Sequence, residues 1–577
     1  MTDVSRWIGG ALAAAAIPAA VFAQHSPIAP PPATADVVEL SPFTVNTSRD
    51  VGYQAENTLA GSRLNAKLRD TPGSVSAFTR EFLDDLAITD IKQLVEYSVS
   101  SEVDTQARVS GSGQNAFINA QNLNGGILTR GIAASQGLDY FTSIGPGDGY
   151  RIGRYDDSRG PNSILFGIGA VGGIINQSSK VATPYRDSAN VRHGFGSWSR
   201  SRVEFDANLV LKKDRLALLV AAVDQKNTGW RNFDYQDKKR IFGSLNVRPT
   251  SRLTFMVMGE TGRDVNAILR SGLESEELLA WYDNRAAKGV DAVTFTPTTA
   301  LPNAAQIALG VTGRNGASGG LNHRLTLIEN NGVFFDAIGT YLSGTYNNSA
   351  VRSPDGSAGH TGGTLRISDA TVYPIFNNAS GPGMNREQTV SNYTLTADYR
   401  FSDRLFLNVA HNYQETNAVL NLMVGASPVL RADPNRVIGL GGAPNPFAGR
   451  LYFDGDWRRD RHLKTYRETR ASLSYLVDTK SRWFGRHSLV GFASHSYDFD
   501  TRTNTWLVLA GRPFSADPIN ANNRVTVRNY LTEGNYETYR VGDWRSVPAT
   551  IPFGGQTYRT VYANDPATGG TSAGAIQ

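Results

Sequence analysis

The stretch from Arg202 to Leu211 places the tightest constraint on the fold. Its odd positions Val203, Phe205, Ala207, Leu209 and Leu211 are apolar, whereas Arg202, Glu204, Asp206 and Asn208 are polar. Successive side chains of a strand point to opposite faces, so a period of two marks a strand with one apolar and one charged face. The pattern returns at Tyr393, Leu395, Ala397, Tyr399 and Phe401 against Thr394, Thr396, Asp398 and Arg400. Strands of this kind fit lipid on the outside and water on the inside of a closed sheet. No segment approaches the ~18 uninterrupted apolar residues of a transmembrane helix. Any membrane span in this chain is therefore a β-barrel, because only helices and closed barrels satisfy the backbone in lipid.

A repeated motif supports that topology. Lys213-Asp214-Arg215-Leu216, Thr250-Ser251-Arg252-Leu253 and Ser402-Asp403-Arg404-Leu405 each sit between alternating strands and predict hairpin turns of one kind. Long polar connections separate these hairpins, notably Gly262 to Asn385 and Asn417 to His462. Short turns on one rim and long loops on the other are an outer-membrane pattern. Val333 to Tyr346 alternates loosely and fits either a loop hairpin or an extra strand pair. The 23 tyrosines, 25 phenylalanines and eight tryptophans would furnish aromatic girdles, although an aromatic-rich soluble β-protein could use them as well.

The N-terminal residues point to export. Arg6 supplies a basic flank, Trp7 to Val21 an apolar, alanine-rich core, and Val21-Phe22-Ala23 small residues at a cleavage position, so residues 1–23 read as a signal peptide. Residues 24–50 follow as a linker in which Pro27 and Pro30-Pro31-Pro32 favour extended backbone. Within it, Val37-Val38-Glu39-Leu40-Ser41-Pro42-Phe43-Thr44-Val45 is an isolated β-prone segment. Such a segment can add itself to a partner's sheet edge, or it can be an edge strand of the domain that follows; its residues leave both open.

Residues 51–188 read as an α/β unit. Thr79 to Leu86 and Thr89 to Tyr97 predict two short helices, each opening at a threonine cap. Asp84, Asp85 and Glu96 are expected on solvated faces. Gln106 to Gly126 reads as a polar loop and Ile127 to Ile132 as a strand. From Arg159 to Lys180 the chain turns at Gly160-Pro161, runs apolar from Ser163 to Phe166, reverses through Gly167, Gly169, Gly172 and Gly173, and returns as a strand. Gly167 to Gly172 also fits G-x-G-x-x-G, but β-branched Ile174 and Ile175 follow where a dinucleotide site needs a helix.

Several function classes fall away. Net charge is +5 with Lys and Arg scattered, so no basic stripe suits nucleic acid. There is no cysteine, which removes disulfides and thiolate metal sites. Neither H-E-x-x-H nor G-x-S-x-G occurs, and His487 and His495 are spaced as residues of one strand face rather than as a triad. No enzyme and no resident cofactor is expected.

Signal peptide, tether, isolated β-segment, small α/β domain, Arg-Gly-Pro hinge and alternating strands together resemble a TonB-dependent outer-membrane receptor. Val37 to Val45 is similar to that family's TonB box, and Asp70-Thr71-Pro72-Gly73-Ser74-Val75 with the two helices to the start of its plug. Leu128-Thr129-Arg130-Gly131 resembles the plug's Arg-Gly strand. Arg159-Gly160-Pro161 through Gly172-Gly173-Ile174-Ile175-Asn176 resembles the family's most recognisable plug motif. One departure stands before it: Arg154-Tyr155-Asp156-Asp157-Ser158 replaces an Arg-Ile-Glu-Val-like strand, so Asp157 occupies an apolar position and needs a partner, Arg154 or Arg159, unless the strand is exposed.

The resemblance implies an α/β plug inside a transmembrane antiparallel β-barrel of about 22 strands, in the outer membrane of a Gram-negative-type bacterium. It implies active uptake, with TonB pairing with Val37 to Val45 in the periplasm by β-augmentation and drawing on the plug. Arg130, Asp156 and Arg159 are the candidate plug contacts to barrel side chains. Only about nine or ten alternating strands follow Ala189, so residues 189–577 are expected to form roughly the first half of a barrel. An open half-barrel, whether a fragment or a truncated product, is not expected to insert alone. By family frequency the extracellular ligand is a ferric siderophore. A carbohydrate, cobalamin or another metal chelate is the alternative, and a non-transporting adhesin or surface β-protein a remoter one.

Overall fold

The computed structural model describes Phe43, residues 50–103 except 51, 60–63 and 72, residues 126–160, 170–268, 383–424, 451–479, 485–511, 523–530, 548–553 and 556–564, residues 376 and 446, and short strands at 275–276, 325–328, 333–336, 365–366, 429–432, 437–438 and 443–444. The expected signal peptide lies outside it, as do Pro161, Gly167 and the linker, with the β-prone segment 37–45, apart from Phe43 and Asp50. The chain divides into two units, Met1–Leu40 and Ser41–Gln577, and the described residues all belong to the second.

The α/β domain opens with a short antiparallel pair, Asn57–Thr58 with Ala66–Lys67, set apart from the two sheets below, and continues with β1 (Ser74–Phe78), α1 (Arg80–Asp85) and α2 (Ile91–Val95). Thr79 caps α1, its Oγ1 accepting from Phe82 N at 3.3 Å. The second cap is Asp90 rather than Thr89. Asp90 Oδ1 accepts from Lys92 N at 2.7 Å, and Thr89 N donates to Gln93 Oε1 at 2.9 Å, so carboxylate and amide satisfy the orphan donors between them. The helices bury Leu83, Ile91, Leu94 and Val95 against Ile127, Leu138, Ile152, Tyr155 and Ile175, which form the domain's apolar core.

Two sheets complete the domain. The smaller joins β2 (Ser101–Val103), β3 (Ile127–Thr129) and β4 (Ile132–Ala133). The strand expected over Ile127 to Ile132 is therefore a hairpin, because Arg130 (φ 55°) and Gly131 (φ 74°) adopt the left-handed pair of a two-residue turn. The larger sheet adds β5 (Ser135–Leu138), β6 (Phe141–Thr142), β7 (Ile152–Arg159) and β8 (Gly173–Ser179), in the order β1-β7-β8-β5-β6. β7 and β8 pair antiparallel, with Arg159 opposite Gly173 and Asp156 opposite Asn176. At Gly173, φ is +129° and a Cβ would lie 2.3 Å from Ser158 O; at Gly172 it would lie 2.6 Å from Ile132 O. These glycines admit neighbouring backbone, and a strand follows them, which removes the nucleotide-binding alternative.

Ten strands of nine or more residues follow: β9 (Ser188–Gly196), β10 (Arg200–Lys212), β11 (Leu216–Lys226), β12 (Gln236–Thr250), β13 (Leu253–Ala267), β14 (Asn385–Arg400), β15 (Leu405–Val424), β16 (Leu451–Asp478), β17 (Arg486–Leu509) and β18 (Gln556–Asn564). Each pairs antiparallel with the next. The three repeated motifs form the turns after β10, β12 and β14. Burial is inverted relative to a soluble sheet: Arg202 (4%), Glu204 (7%) and Asn208 (4%) are covered, whereas Phe205 (38%), Leu209 (47%) and Leu395 (50%) are exposed. An apolar face left open along successive strands is a face for lipid.

Two expected connections shrink. β13 runs to Ala267, β15 to Val424, and β16 starts at Leu451, so parts of 262–385 and 417–462 are strand. The twenty residues of β15 rise about 66 Å along the strand, far beyond an apolar band of ~25 Å. Above that band the outward face no longer meets lipid, and an apolar period of two is no longer required. Leu325–Ile328 pairs with Val333–Asp336, so the loosely alternating stretch begins as a loop hairpin. Among the described residues β9 pairs only with β10, leaving the sheet open along that edge, as a partial barrel must be.

Candidate functional site between the α/β domain and the sheet

The α/β domain lies against the polar face of the sheet, and its densest contacts come from the glycine-rich segment Gly145-Pro146-Gly147-Asp148-Gly149. Asp148 caps the short helix Gly149–Arg151 through Tyr150 N at 3.2 Å. Its carboxylate, fully buried, accepts from Arg202 Nη1 at 3.2 Å, from Arg202 Nη2, and from Lys238 Nζ at 2.9 Å. Burial alone would raise this carboxyl. The charges of Lys238 and Arg202, with the Arg202 hydrogen bonds, outweigh it and hold the group well below the usual carboxylate range. Tyr150 Oη donates to Glu260 Oε1 at 2.9 Å, Arg151 Nε lies 3.3 Å from Glu260 Oε2, and Arg240 Nη1 donates to Pro146 O at 2.8 Å.

A second charged layer flanks the first. Arg80 Nη1 donates to Gly149 O at 2.6 Å and Ile152 O at 3.0 Å, and Arg80 Nη2 bonds Asp84. Arg192 of β9 then joins Asp84 (3.0 Å) to Glu204 of β10 (3.1 Å). Lys180 Nζ donates to Asp206 Oδ1 at 2.8 Å. Asp84, expected on a solvated face, is thus part of the contact with the sheet.

Toward β15 and β16 the contacts change character. Gln414 clamps the domain's backbone: its Nε2 donates to Thr142 O at 2.7 Å and its Oε1 accepts from Ile144 N at 3.1 Å. Arg470 donates to Tyr140 O at 3.0 Å and Asp139 O at 3.1 Å and stacks 3.6 Å from the Phe141 ring centroid. Burial pushes the Asp139 carboxyl up, opposed by Ser179, which donates through N at 2.7 Å and Oγ at 2.8 Å. A cavity of about 130 Å³ lies on this side, lined by residues of both parts and by Phe43.

The residues expected to bridge the two parts do something else. Arg159 donates to Ser74 Oγ (3.0 Å), Ser76 Oγ (2.9 Å) and Asp157 (3.3 Å), tying β7 to β1. Asp156 accepts from Arg154 Nη2 (2.7 Å) and Tyr140 Oη (3.0 Å). Both belong to β7, whose neighbours are β1 and β8, so their side chains stabilise the domain itself. Arg130 is exposed at its turn. The bridging is carried instead by Arg80, Asp84, Asp148, Tyr150, Arg151 and Lys180. Asp157 is buried and has Arg159 and Ser98 as partners, both on Oδ2, so its apolar position is filled by a carboxylate paired through one oxygen. Within the glycine motif, Asn176 Oδ1 accepts from Tyr140 N at 2.7 Å and so fixes the β5–β6 turn, while Gly131 and Gly160 (φ 101°) occupy turns. The overlooked signal was an acidic residue in a glycine-rich loop, Asp148, opposite inward positions rich in Arg and Lys.

Residues 67–174 match the family model described as TonB-dependent Receptor Plug Domain. The metal-pseudopaline receptor CntO of Pseudomonas aeruginosa is 28% identical over 192 residues, 33% of this chain and 26% of that protein. A ferric-pyoverdine 358 receptor of Pseudomonas putida is 24% identical over 248 residues, 39% of this chain and 29% of that protein. The ferripyoverdine receptor of the Pseudomonas aeruginosa outer membrane superposes with a TM-score of 0.52 at 13% identity, over 91% of this chain and 51% of that one. BauA, the ferric preacinetobactin receptor of Acinetobacter baumannii, does so with 0.50 at 12%, over 82% and 52%. The chain spans under a third of the curated relatives and about half of these solved receptors, whose likeness shows the fold.

Proposed function

We propose that this chain, which carries the plug domain and the N-terminal part of the β-barrel of a TonB-dependent outer-membrane receptor, takes up a metal–siderophore chelate, a ferric siderophore in the first instance, by transport powered through TonB. One observation carries the reading: a sheet with its apolar face outward holds the domain through buried ion pairs and hydrogen bonds, beside one apolar cluster in which Tyr150 and Ala182 pack with Leu219, Val223, Phe242 and Met258. Such an interface is specific in register yet hydratable, because water can replace each partner as the domain shifts. Relatives named for metal-pseudopaline and ferric-pyoverdine support the chelate class.

In this reading Val37 to Val45 adds a strand to TonB. Traction reaches the domain through Asp50, whose carboxylate lies 3.6 Å from Arg154 Nη1 in β7, the strand between β1 and β8. The glycine-rich β7–β8 pair moves with it, and the polar contacts to the wall exchange for water.

The test is accumulation of radio-iron from a panel of ferric hydroxamate, catecholate and pyoverdine-type siderophores, in cells whose own siderophore receptors are deleted. The receptor should support energy-dependent accumulation from at least one chelate. Deleting Val37 to Val45 should abolish accumulation while sparing surface binding. Accumulation that survives the deletion removes the TonB assignment, and accumulation from none of the chelates removes the siderophore assignment.

A further inference from the structure

The plug's contacts with the described wall fall into two kinds, and they lie on different sides. Toward β10–β13 it is pinned by buried charge, with Asp148 against Arg202 and Lys238, and Arg151 and Tyr150 against Glu260. Toward β15 and β16 the wall holds plug backbone, through Gln414 on Thr142 and Ile144 and through Arg470 on Asp139 and Tyr140. The cavity of about 130 Å³ opens on this second side; Asp139, Tyr140, Ser179, Thr396, Ser472 and Phe43 are among its lining. Ligand sites run from about 300 Å³ upward, so no chelate passes here unless part of the lining moves.

The β5–β6 hairpin is built to be that part. Its two-residue turn puts Asp139 at φ 49° and Tyr140 at φ 64°, a left-handed pair that suits glycine and strains other residues. Asn176, Ser179 and Asp156 hold the turn from the plug and Arg470 holds it from the wall, so loss of the Arg470 contact lets the hairpin leave the wall together with the plug. We propose that the β5–β6 hairpin is the gate of this receptor and that the chelate crosses between it and the inner faces of β14–β16, while the ion-paired side toward β10–β13 stays closed. The proposal rests on the uptake reading above and adds where the passage lies.

The chain contains no cysteine, so one introduced thiol is a unique reporter. Ser472→Cys places it in the cavity lining. Ser244→Cys places it on the inner face of β12, where Ser244 is buried and accepts from Ala182 N at 3.2 Å. Both changes are nearly isosteric. Cells expressing either variant are exposed to a hydrophilic fluorescent maleimide with the ferric siderophore panel present, energised or treated with a protonophore. Energised cells should label Ser472→Cys several-fold faster than de-energised cells, with Ser244→Cys unchanged. Equal gains at both positions, or a gain at Ser244→Cys alone, overturn the proposal.

A crosslink provides the second arm. A Cβ at Gly145 would lie 3.1 Å from Thr416 Cγ2, so Gly145→Cys with Thr416→Cys is within disulfide reach and ties the loop after the hairpin to β15. Oxidation should abolish iron accumulation, and a reductant should restore it; full transport by the oxidised receptor overturns the gate. Radio-iron accumulation by the unmodified receptor is scored in the same cells. Accumulation with unchanged Ser472→Cys labelling defeats the gate alone, whereas no accumulation defeats the uptake reading together with it.

Discussion

Replacing Asp148 by Asn tests the ion-paired lock most directly. The substitution preserves shape and leaves one carbonyl oxygen for Arg202, which also keeps Glu204 Oε1 at 2.7 Å and Gln225 Oε1 at 2.7 Å. Lys238 loses more: it is 5% exposed, and among the described residues Asp148 is the acceptor at its Nζ. Removing one partner of a buried pair costs about 3–5 kcal/mol because the other charge is stranded. With Arg202 still partnered the low end applies, about 3 kcal/mol, or roughly 150-fold in the population of the undocked plug. Hydrogen exchange of the α1, α2 and β7 amides in detergent-purified protein under a urea series reads this as a loss of protection. Adding Lys238→Met should return about 2 kcal/mol or more, since an apolar side chain needs no counter-ion. A loss below about 0.5 kcal/mol, or strict additivity in the double variant, refutes the argument that the pair acts as a unit. The pH dependence carries a definite sign. The Asp148 carboxyl is depressed in the folded state, so its contribution is complete above the unfolded value of about 4 and is lost as pH falls below that. Docking should thus be unchanged from neutrality to about pH 4, and should weaken only in stronger acid.

Asp139→Asn should behave oppositely. A carboxyl raised by burial costs stability once ionised, and the amide keeps an acceptor for Ser179, so the change is expected within about 1 kcal/mol of wild type by the same exchange assay. Gly173→Ala combines a left-handed φ with a contact of 2.3 Å to Ser158 O, and should lower plug stability by about 2–4 kcal/mol, seen as early proteolysis of residues 152–179. When the chain is carried within a complete barrel, Leu395→Arg puts a cation on the outward face of β14 and should cost about 2–4 kcal/mol of insertion, read as loss of heat-modifiable migration, whereas Thr396→Arg on the inward face should insert normally.

What could be read in advance depends on the range over which each constraint acts. Lipid imposes its period residue by residue, so Val203 to Leu211 and Tyr393 to Phe401 announce their faces without any partner. Thr79 and the turns at Asp214, Ser251 and Asp403 are local as well. The left-handed pair Arg130-Gly131 was hidden because four apolar or β-branched neighbours outweigh it in a strand window. Strand residues 417–424 and 451–462 were hidden because they run beyond the apolar band, where lipid no longer enforces an apolar outward face. The lock was hidden most deeply. Asp148 meets Arg202 54 positions away and Tyr150 meets Glu260 110 positions away, and pairing over such distances depends on how the sheet curls around the domain. The same dependence explains why Arg159 and Asp156, conspicuous within their motif, suggest contacts with the wall when their partners are in neighbouring strands.

The 28 residues of β16 have a further consequence. At about 3.3 Å per residue and a tilt of about 45°, the strand climbs roughly 65 Å, of which an apolar band of ~25 Å accounts for less than half. Its upper reach is laddered to β15 as far as Asp456 and to β17 as far as Arg458. In this quarter the sheet therefore ends as a stiff parapet. Whatever docks on it encounters a surface already set in shape, with little ordering entropy left to lose on contact.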